Sequence, residues 1–177
     1  SLEQRELLRD TLVIVVSDHG EDLGDHGEGT HGLFVYQSTV RVVMLVSGPG
    51  ARRGGVVDAP VSLTDVMPTV LEALGGAPAP AGDGESLWPA VAGRGDAAGD
   101  RSIYAETFLP RLDFGWSELR AVRSGGLKYI QAPRPELYDV RADPGEKQDL
   151  SVPRAADVPL LKRRLEEVVA RTEAGGG

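Results

Sequence analysis

Two uninterrupted aliphatic runs stand out in the first part of the chain. Residues 11–16 read Thr-Leu-Val-Ile-Val-Val, and residues 41–46 read Arg-Val-Val-Met-Leu-Val. Runs without polar alternation are typical of strands buried on both faces, and such strands occur mainly in parallel sheets. Over residues 64–76, apolar positions at helical spacing, a leading Thr64 and two final glycines predict a helix that packs on this sheet.

The hydrophobic pattern changes character after residue 100. Four short segments alternate apolar and polar residues, which predicts antiparallel strands with one exposed face. They span residues 103–107, 118–123, 127–130 and 136–140. A Ser-Gly-Gly turn at 124–126 predicts a hairpin between the second and third strands. A last helix should cover the sheet with an apolar stripe formed by Leu160, Leu161, Leu165, Val168 and Val169.

The chain therefore divides into two unlike parts, an α/β part over residues 1–100 and an antiparallel α+β subdomain over residues 101–177. Two parallel strands alone do not make a stable sheet. The chain also begins with Ser1 rather than Met, in a charged, amphipathic stretch that is unlike a signal peptide. We expect the first part to be the tail of a larger domain, and localisation cannot be inferred from this end.

Composition excludes several classes of function. The 19 basic and 27 acidic residues give a net charge of −8, whereas nucleic-acid binding needs a basic face. No apolar run reaches the ~20 residues of a membrane span. Because the chain has no Cys, it has no disulfide, thiolate metal site or Cys nucleophile of its own.

Candidate metal ligands follow the first aliphatic run directly. Asp18 and His19 supply one carboxylate and one imidazole, a pair that suits Zn²⁺ or Mn²⁺ and is tolerable for Ca²⁺. The alternative is a loop-forming turn in which Asp18 binds the backbone ahead of it. Because ligands collect beyond the carboxyl ends of buried strands, the preceding run favours the metal-ligand interpretation.

Two further histidines lie in the same Gly-rich loop. His31, between Gly29 and Gly32, is a candidate donor to a substrate oxyanion, the alternative being a loop histidine bound to backbone. His26 is expected to shape the loop or to orient a ligand. The loop acids Glu21, Asp22, Asp25 and Glu28 are expected to be solvated, and Trp116 to be a packing residue, with lining of a substrate pocket as its alternative.

Four segments, taken together, resemble one family of hydrolases. Residues 16–27 resemble the second metal-binding motif of the sulfatases, which belong to the alkaline-phosphatase-like superfamily. Residues 31–42, 61–71 and 136–146 are similar to the segments that follow in that family, in the same order. The resemblance implies the C-terminal part of an alkaline-phosphatase-like sandwich: the end of a mostly parallel sheet with flanking helices, followed by a small antiparallel sheet packed on a C-terminal helix.

The resemblance also implies roles for particular residues. Asp18 and His19 would hold one divalent cation, Ca²⁺ by resemblance, with Mn²⁺, Mg²⁺ and Zn²⁺ as alternatives. His31 stands where family members place a Lys or His on the sulfate or phosphate group, as both a catalytic and a substrate-binding residue. The implied substrate is a small anionic sulfate ester, and the implied location is periplasmic or otherwise extracytoplasmic.

The sequence also departs from the family pattern. The family's nucleophile, a formylglycine made from Cys or Ser, and its first metal-binding Asp pair lie upstream of any residue matched here. All three histidines lie between residues 19 and 31, which favours one metal over two. We therefore expect a sulfatase fragment that needs the missing N-terminal half of its domain and is inactive alone. The alternatives are a phosphoethanolamine or phosphoryl transferase, a phosphate or phosphonate ester hydrolase, and a non-catalytic remnant.

Overall fold

The computed structural model of the chain describes residues 2–77, 82, 84–95 and 101–175. These residues form two compact units, one from the described residues of Ser1–Asp18 and Val43–Gly99, the other from those of His19–Val42 and Asp100–Gly177. In chain order the elements are β1 (Val13–Val16), α1 (Gln37–Val40), β2 (Met44–Ser47), α2 (Val66–Ala73), α3 (Trp88–Val91), β3 (Ser102–Thr107), α4 (Leu109–Phe114), β4 (Leu119–Ser124), β5 (Leu127–Gln131), β6 (Glu136–Asp139) and α5 (Val158–Gly175).

The two aliphatic runs of the first unit pair with each other, but the prediction of parallel strands is wrong. β1 and β2 are antiparallel, with Val15 opposite Leu45. The backbone N–H of Ser17 donates to the Val43 carbonyl at the end of the ladder. An aliphatic run predicts a strand, and it carries no information about the direction of the neighbouring strand.

Burial of β1 and β2 on both faces is also not seen in this chain. Val15 and Leu45, which face each other across the ladder, are 53% and 62% exposed. The predicted helix is present as α2, yet its cap lies further upstream than Thr64. Ser62 caps a short 3₁₀ turn at Leu63–Asp65, and the buried Asp65 carboxylate accepts the Ser62 N–H at 2.7 Å.

The second unit contains a four-stranded antiparallel sheet in the order β3-β4-β5-β6, as the alternating segments predicted. The hairpin between β4 and β5 turns at Gly125, whose φ of 60° lies in the region that favours glycine. One face of the sheet packs on α5 through a cluster of buried side chains, namely Val122, Tyr129, Leu137, Leu161 and Leu165. Leu160 is 51% exposed and does not belong to the stripe.

The opposite face of this sheet was predicted to be exposed, and that prediction is wrong. Val35, from the loop that follows β1, packs on this face and is 2% exposed. Its partners in the buried cluster are Ala121, Ile130, Tyr138 and Val140. Sequence alternation predicts an exposed face here because the chain segment that covers this face is distant in sequence.

Segment 19–42 consequently belongs to the same compact unit as the C-terminal sheet. The predicted division into residues 1–100 and 101–177 has its boundary outside the described residues, and it stays a prediction. In the part of the chain that the structure describes, no helix is long and apolar enough to cross a membrane.

Candidate functional site

Asp18 and His19 follow β1 directly and are both exposed to solvent. The Nδ1 atom of His19 lies 2.7 Å from the Gly20 carbonyl oxygen. An Nδ1–H that donates to this carbonyl leaves the lone pair on Nε2, which is the tautomer that a metal ligand needs. Only glycine fits at position 20, since a Cβ there would lie 2.1 Å from the Ser38 carbonyl oxygen.

The imidazole of His31 stacks on that of His19. Their ring centroids are 3.7 Å apart, with 27° between the ring planes. The Nδ1 atom of His31 lies 3.3 Å from both carboxylate oxygens of Glu21, and both side chains are 43% exposed. Loop folding thus brings His19, Glu21 and His31 into one solvent-facing cluster, although their roles stay predictions.

Two loop acids that were expected to be solvated are buried, so that expectation is wrong. Asp22 is 1% exposed and Glu28 is 2% exposed. The Asp22 carboxylate accepts the Ser38 hydroxyl and, at 3.0 Å, the backbone N–H of His26. Burial opposes ionisation of Asp22, but these hydrogen bonds outweigh it and hold its pKa below the usual value.

The Glu28 carboxylate organises the backbone just after His31. Its Oε1 accepts the N–H of Leu33 at 2.7 Å, and its Oε2 accepts the N–H of Phe34 at 3.1 Å. The hydroxyl of Thr107 donates to the Gly32 carbonyl from the other side. Loop acids that bind backbone amides in this way look the same in sequence as solvated ones, so no signal could have identified them.

His26 contacts Tyr36 and the C-terminal part of its own unit. Its ring stacks on Tyr36 at 3.8 Å, and its Nε2 lies 3.1 Å from the Gly145 carbonyl oxygen. The Tyr36 hydroxyl donates to Glu136 at 2.8 Å; burial and this carboxylate raise the pKa of Tyr36 above its usual value. These contacts agree with the loop-shaping role expected for His26.

A buried ion pair joins the same loop to the sheet, and sequence reasoning missed it. Lys128 of β5 lies 2.7 Å from Glu146, and their side chains are 2% and 0% exposed. Lys128 Nζ donates to the Val35 carbonyl at 2.5 Å, and Glu146 accepts the backbone N–H of Gln37. Burial lowers the pKa of Lys128 while the adjacent carboxylate opposes this shift.

An apolar pocket of about 250 Å³ opens beside the segment that follows His31. Leu33 forms part of its wall, and two consecutive Cα–Cα steps of ~3.8 Å keep the Leu33 Cα within about 8 Å of that of His31. Trp116 lines the pocket and stacks on Phe114, and because it is 61% exposed it does not pack in a buried core. The remaining lining residues are Phe34, Pro110, Ser117, Leu119 and Pro133.

The donors present fit a divalent cation only in part. Asp18 offers a hard oxygen and His19 an imidazole nitrogen, both at the solvent-exposed start of the loop. Among the described residues, no three His, Asp or Glu side chains converge as a metal site would require. Two donors are fewer than the four or more that such ions take, so further ligands must come from outside this cluster.

Comparison with known proteins identifies the class. Residues 1–77 match the Sulfatase family model. The chain is 28% identical over 180 residues to arylsulfatase K of Mus musculus, covering 96% of this chain and 32% of that protein. It is 33% identical over 156 residues to the choline-sulfatase of Rhizobium meliloti, covering 85% and 29%.

Solved structures are similar to most of the chain. The phosphonate monoester hydrolase SpPMH of Silicibacter pomeroyi superimposes with a TM-score of 0.79 at 26% identity, covering 96% of this chain and 37% of that one. The chain therefore matches the Sulfatase family over residues 1–77, and its similarity to these relatives along most of its length supports correspondence with the C-terminal portion of such a protein. It spans about a third of the length of the curated relatives it matches. The predicted fold class is confirmed.

Proposed function

We propose that this chain is the C-terminal portion of a metal-dependent hydrolase of sulfate esters. The observation that carries the proposal is the joint placement of His19 and His31, with ring centroids 3.7 Å apart, beside Asp18 at the end of β1. An anionic ester needs positive charge and hydrogen-bond donors at this point, and a cation held by Asp18 and His19 beside the His31 ring would supply them. The sulfatase relatives favour sulfate as the anionic group.

Asp18 and His19 are the residues of this chain that would hold a divalent cation, with Ca²⁺ as our first choice on the family resemblance. When bound, the cation would supply positive charge beside the ester oxygens. His19 contributes by keeping its Nδ1 on the Gly20 carbonyl, which fixes the orientation of the ring. The exposure of both side chains is compatible with ligands from another part of the protein.

His31 would bind the sulfate group and donate a hydrogen bond as negative charge develops on its oxygens. The Glu21 carboxylate lies 3.3 Å from Nδ1 of this ring, which would leave Nε2 available for the substrate. The apolar pocket beside Leu33 and Trp116 would receive the alcohol portion of the ester and thereby influence substrate choice.

The nucleophile is expected in a preceding segment of a longer protein, and the isolated chain is expected to be inactive. We also infer an extracytoplasmic location on the family resemblance alone. Hydrolysis of a phosphate or phosphonate ester is the second candidate. The SpPMH structure superimposes on this chain with a TM-score of 0.79, and tetrahedral sulfate and phosphonate groups have similar shapes. A phosphoryl or phosphoethanolamine transferase would retain the same three residues.

The proposal is tested in the full-length protein with matched sulfate, phosphate and phosphonate esters of one alcohol. We expect turnover to be fastest with the sulfate ester, and we expect Asp18→Ala and His19→Ala each to abolish both turnover and bound metal. Asp25→Ala, an exposed acid of the same loop, is the control and should retain both. Full metal occupancy in the Asp18 and His19 variants would refute the ligand assignment, and a faster phosphonate ester would favour the second candidate.

A further inference from the structure

We propose that Lys128 and Glu146 are positioning residues for His31, acting as a buried ion pair that clamps the segment after His31 onto the C-terminal sheet. Lys128 lies in β5 and Glu146 lies beyond β6, so neither is near the loop in sequence. Both reach the loop backbone directly. Lys128 Nζ donates to the Val35 carbonyl at 2.5 Å, and the Glu146 carboxylate accepts the N–H of Gln37.

Burial of this ion pair carries a desolvation cost in folding free energy, which suggests that the pair does more than stabilise the fold. The side chains of Lys128 and Glu146 are 2% and 0% exposed, and their charged atoms are 2.7 Å apart. Taking two charges out of water often costs more than their mutual attraction returns, so such pairs are weak contributors to stability. What the pair does provide is a fixed geometry, because each partner also binds one backbone group of the loop.

The backbone at Glu146 supports the same conclusion. Its φ is 50°, in the left-handed region that glycine adopts more easily than any residue with a Cβ. A glutamate in this conformation stores strain that its side chain must offset. The carboxylate does so with the Lys128 ammonium on one oxygen and the Gln37 amide on the other.

The clamp completes a series of restraints that starts just beyond His31. Glu28 binds the amides of Leu33 and Phe34, the ion pair binds the segment at Val35 and Gln37, and Asp22 binds Ser38. The His31 side chain itself contacts the exposed Glu21 and the His19 ring. Both of these partners are exposed, so we infer that the position of the His31 imidazole also depends on the backbone that follows it, which the clamp fixes to the sheet.

The expected effect of the ion pair on kcat rests on the proposed function, whereas its expected effect on the order of the loop does not. Two readouts in the full-length protein separate them: hydrogen exchange of peptides that cover residues 33–40, and kcat for a sulfate ester together with metal content. The test variants are Lys128→Met and Glu146→Gln. Their matched controls are Lys162→Met and Glu166→Gln, an exposed pair on α5 with 3.9 Å between its charged atoms.

We expect Lys128→Met to speed exchange in residues 33–40 by about tenfold or more, since hydrogen bonds that involve charged groups are among the stronger ones. Peptides from β4, β5 and α5 should keep their protection. In the same variant kcat should fall by about tenfold or more with metal content unchanged, because a displaced catalytic group is costly. Glu146→Gln keeps an oxygen for the Gln37 amide, so it should reduce the exchange protection of residues 33–40 and kcat less than Lys128→Met does. Both control variants should match the wild type.

If Lys128→Met does not fold, the double variant Lys128→Met/Glu146→Leu replaces the pair with apolar groups, an exchange that proteins often tolerate. In this double variant the sheet should stay protected from hydrogen exchange, and residues 33–40 should lose their protection. Unchanged exchange in residues 33–40, or an equal increase throughout the protein, would overturn the clamp. Faster exchange with unchanged kcat would overturn its role in catalysis. If the wild type turns over no ester, the proposed function fails and the exchange data alone decide the clamp.

Discussion

His31 and His26 lie five positions apart on one loop, yet their imidazoles have different surroundings. The His31 ring faces solvent with Glu21 and His19, whereas the His26 ring stacks on Tyr36 and contacts the Gly145 carbonyl. A group that must meet a substrate has to be accessible, and a group that shapes a loop has to be packed. The two environments are compatible with the substrate-binding role proposed for His31 and the supporting role expected of His26.

We expect His31→Ala to lower kcat of the full-length protein by about 10²–10³, the usual effect of removing one oxyanion donor, with little change in bound metal. His31→Lys should recover part of the rate because an ammonium offers a similar charge. His26→Ala is the comparison and should reduce kcat much less. Steady-state kinetics with parallel metal analysis checks this, and metal loss from the His31 variant would show that its role is misassigned.

At the scale of the element, the loop from Asp18 to Val42 is held by buried carboxylates. Asp22 is fixed by Ser38 and the His26 amide, and Glu28 by two amides beyond His31. A carboxylate that accepts several hydrogen bonds is stabilised in its ionised form. The pKa of Asp22 lies below its usual value for this reason, even though burial acts in the opposite direction.

This pKa shift predicts a pH dependence of stability. Since the pKa of Asp22 is lower in the folded than in the unfolded state, its contribution is fully present above its ordinary value of about 3.9 and is lost as pH falls through the folded-state pKa. The difference in unfolding free energy between the wild type and Asp22→Asn should therefore shrink as pH falls below about 4. Denaturant unfolding of both proteins from pH 2 to pH 6 checks this. Asp25→Asn, which is exposed, should follow the wild type throughout, and a constant difference for Asp22→Asn would contradict the assignment.

At the scale of the whole molecule, the two units bury their apolar residues to different extents. The second unit packs apolar residues on both faces of its sheet. The strands of the first unit instead leave a directly paired Val15 and Leu45 more than half exposed. Exposed apolar strand surface promotes association with other chains.

We expect the 177-residue chain on its own to aggregate through this surface. Val15→Thr combined with Leu45→Thr should raise the recovered monomer, because threonine keeps a high strand propensity while reducing apolar exposure. Leu112→Thr, at a residue of α4 that is 76% exposed, is the control and should help much less. Size-exclusion chromatography at several protein concentrations checks this, and a monomeric wild-type chain with a cooperative thermal transition would contradict it.

The sequence by itself determined the local elements and the class of the protein. Alternation located the four strands of the C-terminal sheet within one or two residues, and the Gly-rich turn at 124–126 located its hairpin. These features depend on neighbours in the chain, which a pattern can express. The motif around Asp18 and His19 likewise predicted a resemblance to the sulfatases, because its residues are contiguous, and residues 1–77 match that family's model.

Only the tertiary structure decided which surfaces meet. The direction of β2 beside β1, the burial of Asp22 and Glu28, and the cover that Val35 provides for the second face of the sheet all depend on contacts between distant segments. Lys128 has the alternating position of a solvated strand residue, yet it is buried against a loop more than ninety positions earlier. Burial of a polar group follows from its partner, and a partner remote in sequence leaves no local pattern.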